Sequence, residues 1–96
     1  MFVLVSQYSV PIEKVDSLLA PHLEFLKKYY SLNKMVISGR LKDNTGGVII
    51  CNVATREELN EIFKEDPFVQ ENVGEYKIYD FSPRMYIEEL EAVVKK

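Results

Sequence analysis

Residues 34–53 decide the fold, and they read KMVISGRLKDNTGGVIICNV. One apolar stretch predicts a strand over Lys34–Arg40, and a second predicts a strand over Val48–Val53. Between them, Lys42–Gly47 is rich in the residues that favour turns. Two short strands joined by such a turn predict a β-hairpin.

A strand and an amphipathic helix precede this hairpin. The segment from Phe2 to Tyr8 is rich in β-branched and aromatic residues, which predicts a first strand. From Pro11 onward, apolar residues recur at helical spacing, which indicates one buried helix face. Pro21 falls within this pattern. Because proline lacks a backbone donor and clashes with the preceding turn, we expect the helix to kink there or to restart one residue before His22.

A second helix, a fourth strand and a terminal helix follow the hairpin. Thr55-Arg56-Glu57-Glu58 fits a capping box, which predicts a helix start. This helix is expected to end near Asp66, because Pro67 disfavours helical geometry in the residue before it. An alternating pattern predicts a strand over about Glu75–Phe81. Ser82-Pro83 then predicts the start of a terminal helix with apolar residues at Tyr86, Ile87, Leu90, Val93 and Val94.

The predicted element order is β-α-β-β-α-β-α. Without its final helix this is the ferredoxin-like arrangement, an α+β fold in which both helices cover one face of a four-stranded antiparallel sheet. The 96 residues contain no linker and no internal repeat. We therefore expect a single domain over residues 1–96, in which residues 83–96 form a C-terminal helical extension.

The second face of that sheet is also expected to be buried. Residues 2–5 and 48–51 are continuous apolar runs, which are typical of strands covered on both faces. An exposed face of this kind exceeds the apolar patches that monomers tolerate. A second copy of the chain is the simplest cover, so we expect a homodimer or a higher homo-oligomer, and the terminal helix is the alternative cover.

Composition and charge argue against several classes of partner. The formal net charge is −3, and no cluster of Lys and Arg falls on a predicted helix face, so no nucleic acid partner is expected. No run approaches the ~20 apolar residues of a membrane span, so no membrane partner is expected. The amino terminus lacks the basic region and the cleavage site of a secretory signal, which favours a cytoplasmic location.

Several kinds of site lack the residues that they need. Cys51 is the only cysteine and lies in an apolar run, so we expect it to be buried and unreactive. One histidine and one cysteine are too few for a zinc site, so no metal is expected. Neither a phosphate-binding loop nor a serine nucleophile elbow occurs. Hydride or electron transfer would need a cofactor site, and no cofactor is expected.

His22 and Asp66 are the remaining candidates for chemistry. His22 is the only histidine, and imidazole is the side chain whose charge changes near neutral pH. The predicted fold places the two helices side by side, so Asp66 at the end of one can reach His22 on the other. A carboxylate at one ring nitrogen fixes the tautomer and leaves the other nitrogen to move a substrate proton.

Both residues also have a structural interpretation. A lone histidine on an apolar helix face is commonly a hydrogen-bonded core residue. Asp66 can cap the short segment Pro67–Glu71, with proline in the first turn. The cap and the acid/base pair are compatible, because one carboxylate oxygen can accept the backbone amides while the other holds the imidazole.

Several short motifs occur in a defined order: Pro21-His22-Leu23, Ser38-Gly39, the Gly46-Gly47 hairpin, Lys64-Glu65-Asp66-Pro67-Phe68, and the strand from Tyr76 to Phe81. Together they resemble the YCII-related family over about residues 1–82. The resemblance implies a dimeric α/β-barrel, in which two ferredoxin-like subunits pair their sheets. It also implies an active site at the histidine and at the aspartate of the D-P-F/Y motif, positions that His22 and Asp66 match.

The chain departs from the family pattern at Arg40. The family typically has a small residue, glycine and proline after the second strand, whereas this chain has Ser38-Gly39-Arg40. The Arg40 guanidinium could lie at the mouth of the site, where it would suit an anionic substrate. Alternatively, Arg40 is a solvated strand end.

The first functional hypothesis is a cofactor-free enzyme. His22 would act as general base or acid, Asp66 would orient it, and Ser38, Gly39 and Arg40 would line the substrate mouth. One acid/base pair suffices for proton abstraction beside a carbonyl, for elimination and for isomerisation. The expected substrate is a small molecule, anionic or cyclic.

The second hypothesis is a ligand-binding or assembly protein without catalysis. In this case His22 and Asp66 form a structural pair, and Tyr8 or Phe68 contacts a ligand. Substitution of Asp66 distinguishes the two, because a structural pair affects stability and a catalytic pair affects turnover.

Overall fold

The computed structural model describes residues 1–94, and Lys95 and Lys96 at the end of the predicted extension lie outside the described residues. Four strands form one sheet of order β2-β3-β1-β4, and each neighbouring pair is antiparallel. This is the ferredoxin-like α+β fold that the element order predicted. The strands are β1 (Phe2–Tyr8), β2 (Met35–Arg40), β3 (Gly47–Cys51) and β4 (Gly74–Asp80).

Four helices pack on one face of this sheet. The helix after the hairpin begins where the capping box predicted, with Thr55 Oγ1 accepting a hydrogen bond from the Glu58 N–H at 3.1 Å. Among residues 1–94, no helix is both long and apolar enough to cross a membrane. The helices are α1 (Ile12–Ser17), α2 (Leu19–Ser31), α3 (Arg56–Phe63) and α4 (Pro67–Gln70).

The break in the first helical segment falls at Leu18, earlier than predicted. Leu18 has φ −105° and ψ 1°, which ends α1, and Pro21 is the third residue of α2. A helix running through Ser17 would press the proline ring against the Ser17 carbonyl. In the first turn of a new helix the amide groups have no intrahelical partner, so Pro21 is tolerated there.

The core lies between the helices and the inner face of the sheet. Cys51 is part of this core, as the sequence predicted, and burial raises the pKa of its thiol to about 12. The thiol therefore stays protonated well above neutral pH. The sheet contributes Phe2, Leu4, Ile49 and Cys51, and the helices contribute Phe25, Leu26, Leu59, Ile62 and Phe63.

The outer face of the sheet carries an apolar row that crosses all four strands. The register aligns Ile37 with Ile50, Ile50 with Val3, and Val3 with Tyr79. Ile50 and Val3 are half-buried by their neighbours, whereas Ile37 is 59% exposed and Tyr79 is 55% exposed. The described residues thus leave the ends of this row uncovered.

The C-terminal segment becomes helical later than predicted. Residues 81–87 have no regular structure, and a single 3-10 turn (Glu88–Leu90) leads into α5 (Glu91–Val94). Negative charge stabilises the first turn of a helix, so Glu88 and Glu89 favour a start there rather than at Ser82-Pro83. Asn52 Nδ2 donates to the Val93 carbonyl at 2.8 Å. That residues 83–96 extend a single domain stays a prediction.

Leu59→Ala is expected to lower the free energy of unfolding by about 2 to 5 kcal/mol, because it leaves a cavity in the core. Leu59 is 1% exposed, whereas Leu32 is 53% exposed. Leu32→Ala is therefore the matched control, expected to change stability by less than about 0.5 kcal/mol. Urea unfolding followed by circular dichroism measures both. Equal effects of the two substitutions would contradict this core.

Candidate active site

His22 lies on the inward face of α2, one turn before Phe25 and Leu26. Its Nδ1 is 2.7 Å from Asp66 Oδ1, although the two residues are 44 positions apart in the chain. The His22 side chain is nearly buried, and Asp66 is fully buried. The structure brings the two residues into direct contact, and their acid/base role stays a prediction.

Asp66 caps α4, as the sequence predicted. Its Oδ1 accepts a hydrogen bond from the Phe68 N–H at 3.0 Å, and Pro67 occupies the first helical position, where no donor is needed. The same Oδ1 also bonds to His22, whereas we expected the two oxygens to divide these roles. One oxygen suffices because a carboxylate oxygen has more than one lone pair.

Tyr76 forms a hydrogen bond with the second oxygen of Asp66, a contact that sequence reasoning missed. Its hydroxyl donates to Asp66 Oδ2 at 3.3 Å. Burial and, to a smaller degree, the negative charge of Asp66 raise the pKa of Tyr76, so the phenol keeps the proton that it donates. The available signal was the alternation of β4, which turns Tyr76 and Ile78 inward.

A second set of contacts holds the corner that carries Asp66. Glu65 Oε1 accepts from Lys28 Nζ at 2.6 Å, and its other oxygen accepts from the Tyr29 hydroxyl. These bonds, with Lys28 first and Tyr29 second, lower the pKa of Glu65 and keep it ionised. They tie α2 to the turn between α3 and α4, and so support the placement of His22 beside Asp66.

The second ring nitrogen of His22, Nε2, has no hydrogen-bond partner among the described residues. A carboxylate at Nδ1 holds the proton there, so Nε2 carries the lone pair. No group in residues 1–94 bonds to Nε2, yet every fully buried side-chain nitrogen and oxygen in that range has a partner. Nε2 must therefore reach an accessible surface. The Phe68 ring stacks on the imidazole at 3.8 Å and 4°, which leaves the ring edge free.

A cavity of about 160 Å³ opens in front of His22. An engineered protein cavity of about 150 Å³ accommodates benzene, so this one fits a single ring with small substituents. All five residues predicted to bind substrate line it, namely Tyr8, Ser38, Gly39, Arg40 and Phe68. Asp66 is not part of the wall, since it lies behind the imidazole.

The rest of the wall was missed by sequence reasoning. Ser6 on β1 lies on the inner face of the sheet, and Leu23 and Leu26 follow His22 along α2. Strand alternation and helical periodicity carry these signals, but neither shows which inward residues border a gap rather than pack into the core. The missed residues are Ser6, Leu19, Leu23, Leu26, Gly47, Val48, Ile49 and Tyr76.

Arg40 lies at the cavity wall, and its role as a substrate contact stays a prediction. Its Nη2 donates to Asp16 Oδ1 at 2.7 Å, and its guanidinium carbon lies 5.9 Å from the centre of the Tyr8 ring. The bond to Asp16 is the main cause of the raised pKa of Arg40. Only one of its N–H donors is used in that bond, so others are available to a ligand.

The polar groups around the cavity suit an organic ligand. Within residues 1–94, no three His, Cys, Asp or Glu side chains converge as a metal site would require. The cavity instead presents the hydroxyls of Ser6, Tyr8 and Ser38 beside the Arg40 guanidinium. Such groups bind oxygen atoms of a polar small molecule.

The fold and the buried pair define a ferredoxin-like α+β protein with a histidine and an aspartate beneath a small cavity. The family model of the YCII-related domain matches residues 1–82, and the chain belongs to this family. This confirms the resemblance drawn from the motifs. No curated protein matches the chain.

A solved structure with a similar fold is that of 5-chloro-2-hydroxyhydroquinone dehydrochlorinase (TftG) from Burkholderia phenoliruptrix AC1100, in complex with 2,5-dihydroxybenzoquinone. The TM-score is 0.70 and the sequence identity 18%, and the match covers 84% of this chain and 93% of that chain. At this identity the likeness shows a shared fold.

Nitrogen-15 NMR of the imidazole is expected to show a proton on Nδ1 and none on Nε2 in mildly alkaline buffer, because Asp66 accepts from Nδ1. His22 is the only histidine, so the signals need no assignment. Asp66→Asn is expected to weaken this preference, whereas Asp43→Asn in the exposed hairpin turn leaves it unchanged. A proton on Nε2 in the wild type would contradict the geometry.

Proposed function

We propose that this protein is an enzyme that uses His22 and Asp66 as an acid/base pair on a small, cyclic, anionic molecule. One observation carries the proposal: a fully buried carboxylate holds Nδ1 of His22, and the same imidazole lines a cavity of ligand size. A base oriented in this way is suited to proton transfer. The shared fold with a dehydrochlorinase supports an enzyme.

The chemistry follows from the arrangement of the pair. Nε2 of His22 takes a proton from a carbon beside a carbonyl group, and Asp66 stabilises the imidazolium that forms. Return of the proton to another carbon gives isomerisation, and departure of a leaving group gives elimination. The contacts of Asp66 with Phe68 and Tyr76 keep the carboxylate in place during both steps.

The shape and charge of the cavity indicate the substrate class. Its volume of about 160 Å³ fits one ring, and Arg40 is the cation on its wall. The dehydrochlorinase of the same fold binds 2,5-dihydroxybenzoquinone, a single ring with several oxygen atoms. We therefore propose single-ring oxygenated anions as substrates.

His22→Gln and Asp66→Asn are each expected to slow catalysed proton exchange by about 10²- to 10⁴-fold, which is the usual contribution of a general base. Deuterium incorporation from heavy water, followed by NMR, measures this over a panel of small cyclic ketones, lactones and hydroxylated rings.

Asp43→Asn is the matched control for this experiment. Asp43 accepts from Thr45 in the exposed hairpin turn and does not line the cavity, so turnover should persist. A variant Asp66→Asn that melts at lower temperature but retains turnover would contradict the proposal. It would favour a ligand-binding protein in which the two residues form a structural pair.

We also propose that the outer face of the sheet pairs with the same face of a second copy. The described C-terminal segment leaves Ile37 and Tyr79 exposed, so a second copy is the better cover for the apolar row. The family of the chain supports the same arrangement. A cytoplasmic location stays a prediction.

Ile37→Lys is expected to give a monomer, because it places a charge within the apolar row. Light scattering should give the wild type at least twice the chain mass of 11.2 kDa and give this variant a single chain mass. Met85→Lys is the control, since Met85 is 94% exposed in the C-terminal segment. A wild type of single chain mass at micromolar concentration would overturn the proposal.

A further inference from the structure

The cavity has two walls with different chemistry. On the helix wall, His22 presents a nitrogen with a free lone pair. On the strand wall, Ser38 and Arg40 are alternate residues of β2, so they share one face and lie about 7 Å apart along the strand. The register places them opposite Ile49 and Gly47, which also line the cavity.

The Ser38 hydroxyl differs from those of Ser6 and Tyr76, whose protons are donated to groups of the protein. Ser6 Oγ accepts from the Gly47 N–H at 2.8 Å and donates to the Gly47 carbonyl at 3.4 Å. Tyr76 donates to the buried carboxylate. The Ser38 hydroxyl has one hydrogen-bond partner, the Tyr30 hydroxyl, which can itself be the donor, so the Ser38 proton need not be donated to the protein.

Tyr30 is the hydrogen-bond partner of Ser38. Its hydroxyl oxygen is 2.7 Å from Ser38 Oγ, and its ring packs against the core, outside the cavity wall. Either hydroxyl could be the donor in this contact. A phenol is a stronger hydrogen-bond donor than an aliphatic alcohol, which favours the arrangement in which Tyr30 donates and Ser38 accepts. The Ser38 proton is then left to point into the cavity.

We propose that Ser38 and Arg40 bind the two oxygens of a cyclic 1,3-dicarbonyl compound or its enol, and that Tyr30 is a positioning residue for Ser38. This proposal rests on the proposed function and names its substrate class. In such a ring the acidic carbon lies on the same edge as the two oxygens, and its reactive C–H bond is perpendicular to the ring. His22 would therefore reach that bond from one face of the ring while the oxygens bond to Ser38 and Arg40.

The proton transfer balances with the groups present. Nε2 of His22 takes the proton of the acidic carbon, the C–H electron pair becomes the new C=C bond, and the carbonyl π pair moves to oxygen. The products are an imidazolium and an enolate whose negative charge spreads over both oxygens. The Ser38 hydroxyl donates to one oxygen and Arg40 to the other, which stabilises the charge where it develops.

The experiment uses 1,3-cyclohexanedione as the probe, with binding measured by calorimetry in mildly alkaline buffer, where the probe is an enolate. Cyclohexanone, a ring of the same size with one neutral carbonyl, is the matched ligand. We expect the wild type to bind the dione in preference to the ketone. Ser38→Ala and Tyr30→Phe should each weaken dione binding about tenfold or more, and Ser38→Thr should retain it.

A double substitution of Tyr30 and Ser38 distinguishes a positioning role of Tyr30 from a purely structural one. If Tyr30 acts through Ser38, the double variant binds the dione no more weakly than Ser38→Ala alone. Melting temperatures identify any variant that fails to fold, and Ser31→Ala and Tyr86→Phe are the controls away from the cavity. Additive losses would show a merely structural role for Tyr30 and overturn that part of the proposal.

Two further results would overturn the substrate class: no binding of the dione by the wild type, or equal binding by the wild type and Ser38→Ala. Either result is distinguishable from failure of the proposed function. The imidazole NMR experiment and the proton exchange rates of His22→Gln test the pair without reference to Ser38.

Discussion

Three donors converge on the buried carboxylate of Asp66, and the geometry of the site depends on them. A carboxylate removed from water costs several kcal/mol unless hydrogen bonds replace its hydration. Here the replacements come from His22 on α2, the Phe68 amide of α4 and the Tyr76 hydroxyl of β4. Burial of one charge therefore ties together three elements that are distant in the chain. The same carboxylate holds the imidazole at the cavity wall.

Strand β2 links the cavity to the outer face of the sheet. Ser38 and Arg40 point inward to the cavity, whereas Ile37 lies in the apolar row on the other face. Gly39 alternates with Ser38 and Arg40, and no atom lies within 4 Å of the place where its side chain would be. A second copy on the outer face would lie against the strand that carries two of the proposed substrate contacts. In the proposed arrangement, assembly and binding therefore share one element.

Local patterns were sufficient for the fold and for the identity of the pair. The apolar runs, the turn-rich segment 42–47 and the capping box at Thr55 predicted the elements and their order, because strand and helix periodicities are properties of neighbouring residues. The break in the first helix was predicted at Pro21, but it lies at Leu18. Proline is accepted within the first turn of a helix, so its position shows that a break occurs nearby and not at which residue. The late start of the C-terminal helix was also missed.

What the sequence determined was the set of elements, the family, and a histidine and an aspartate as candidate partners. Only the tertiary structure decided that Asp66 Oδ1 accepts from both the Phe68 amide and the imidazole, that Tyr76 donates to the other oxygen, and that Arg40 lines the cavity. The physical reason is the distance along the chain over which each kind of interaction acts. Periodicity acts over a few residues, whereas a hydrogen bond across 44 positions and a gap of about 160 Å³ exist only once the helices have packed on the sheet.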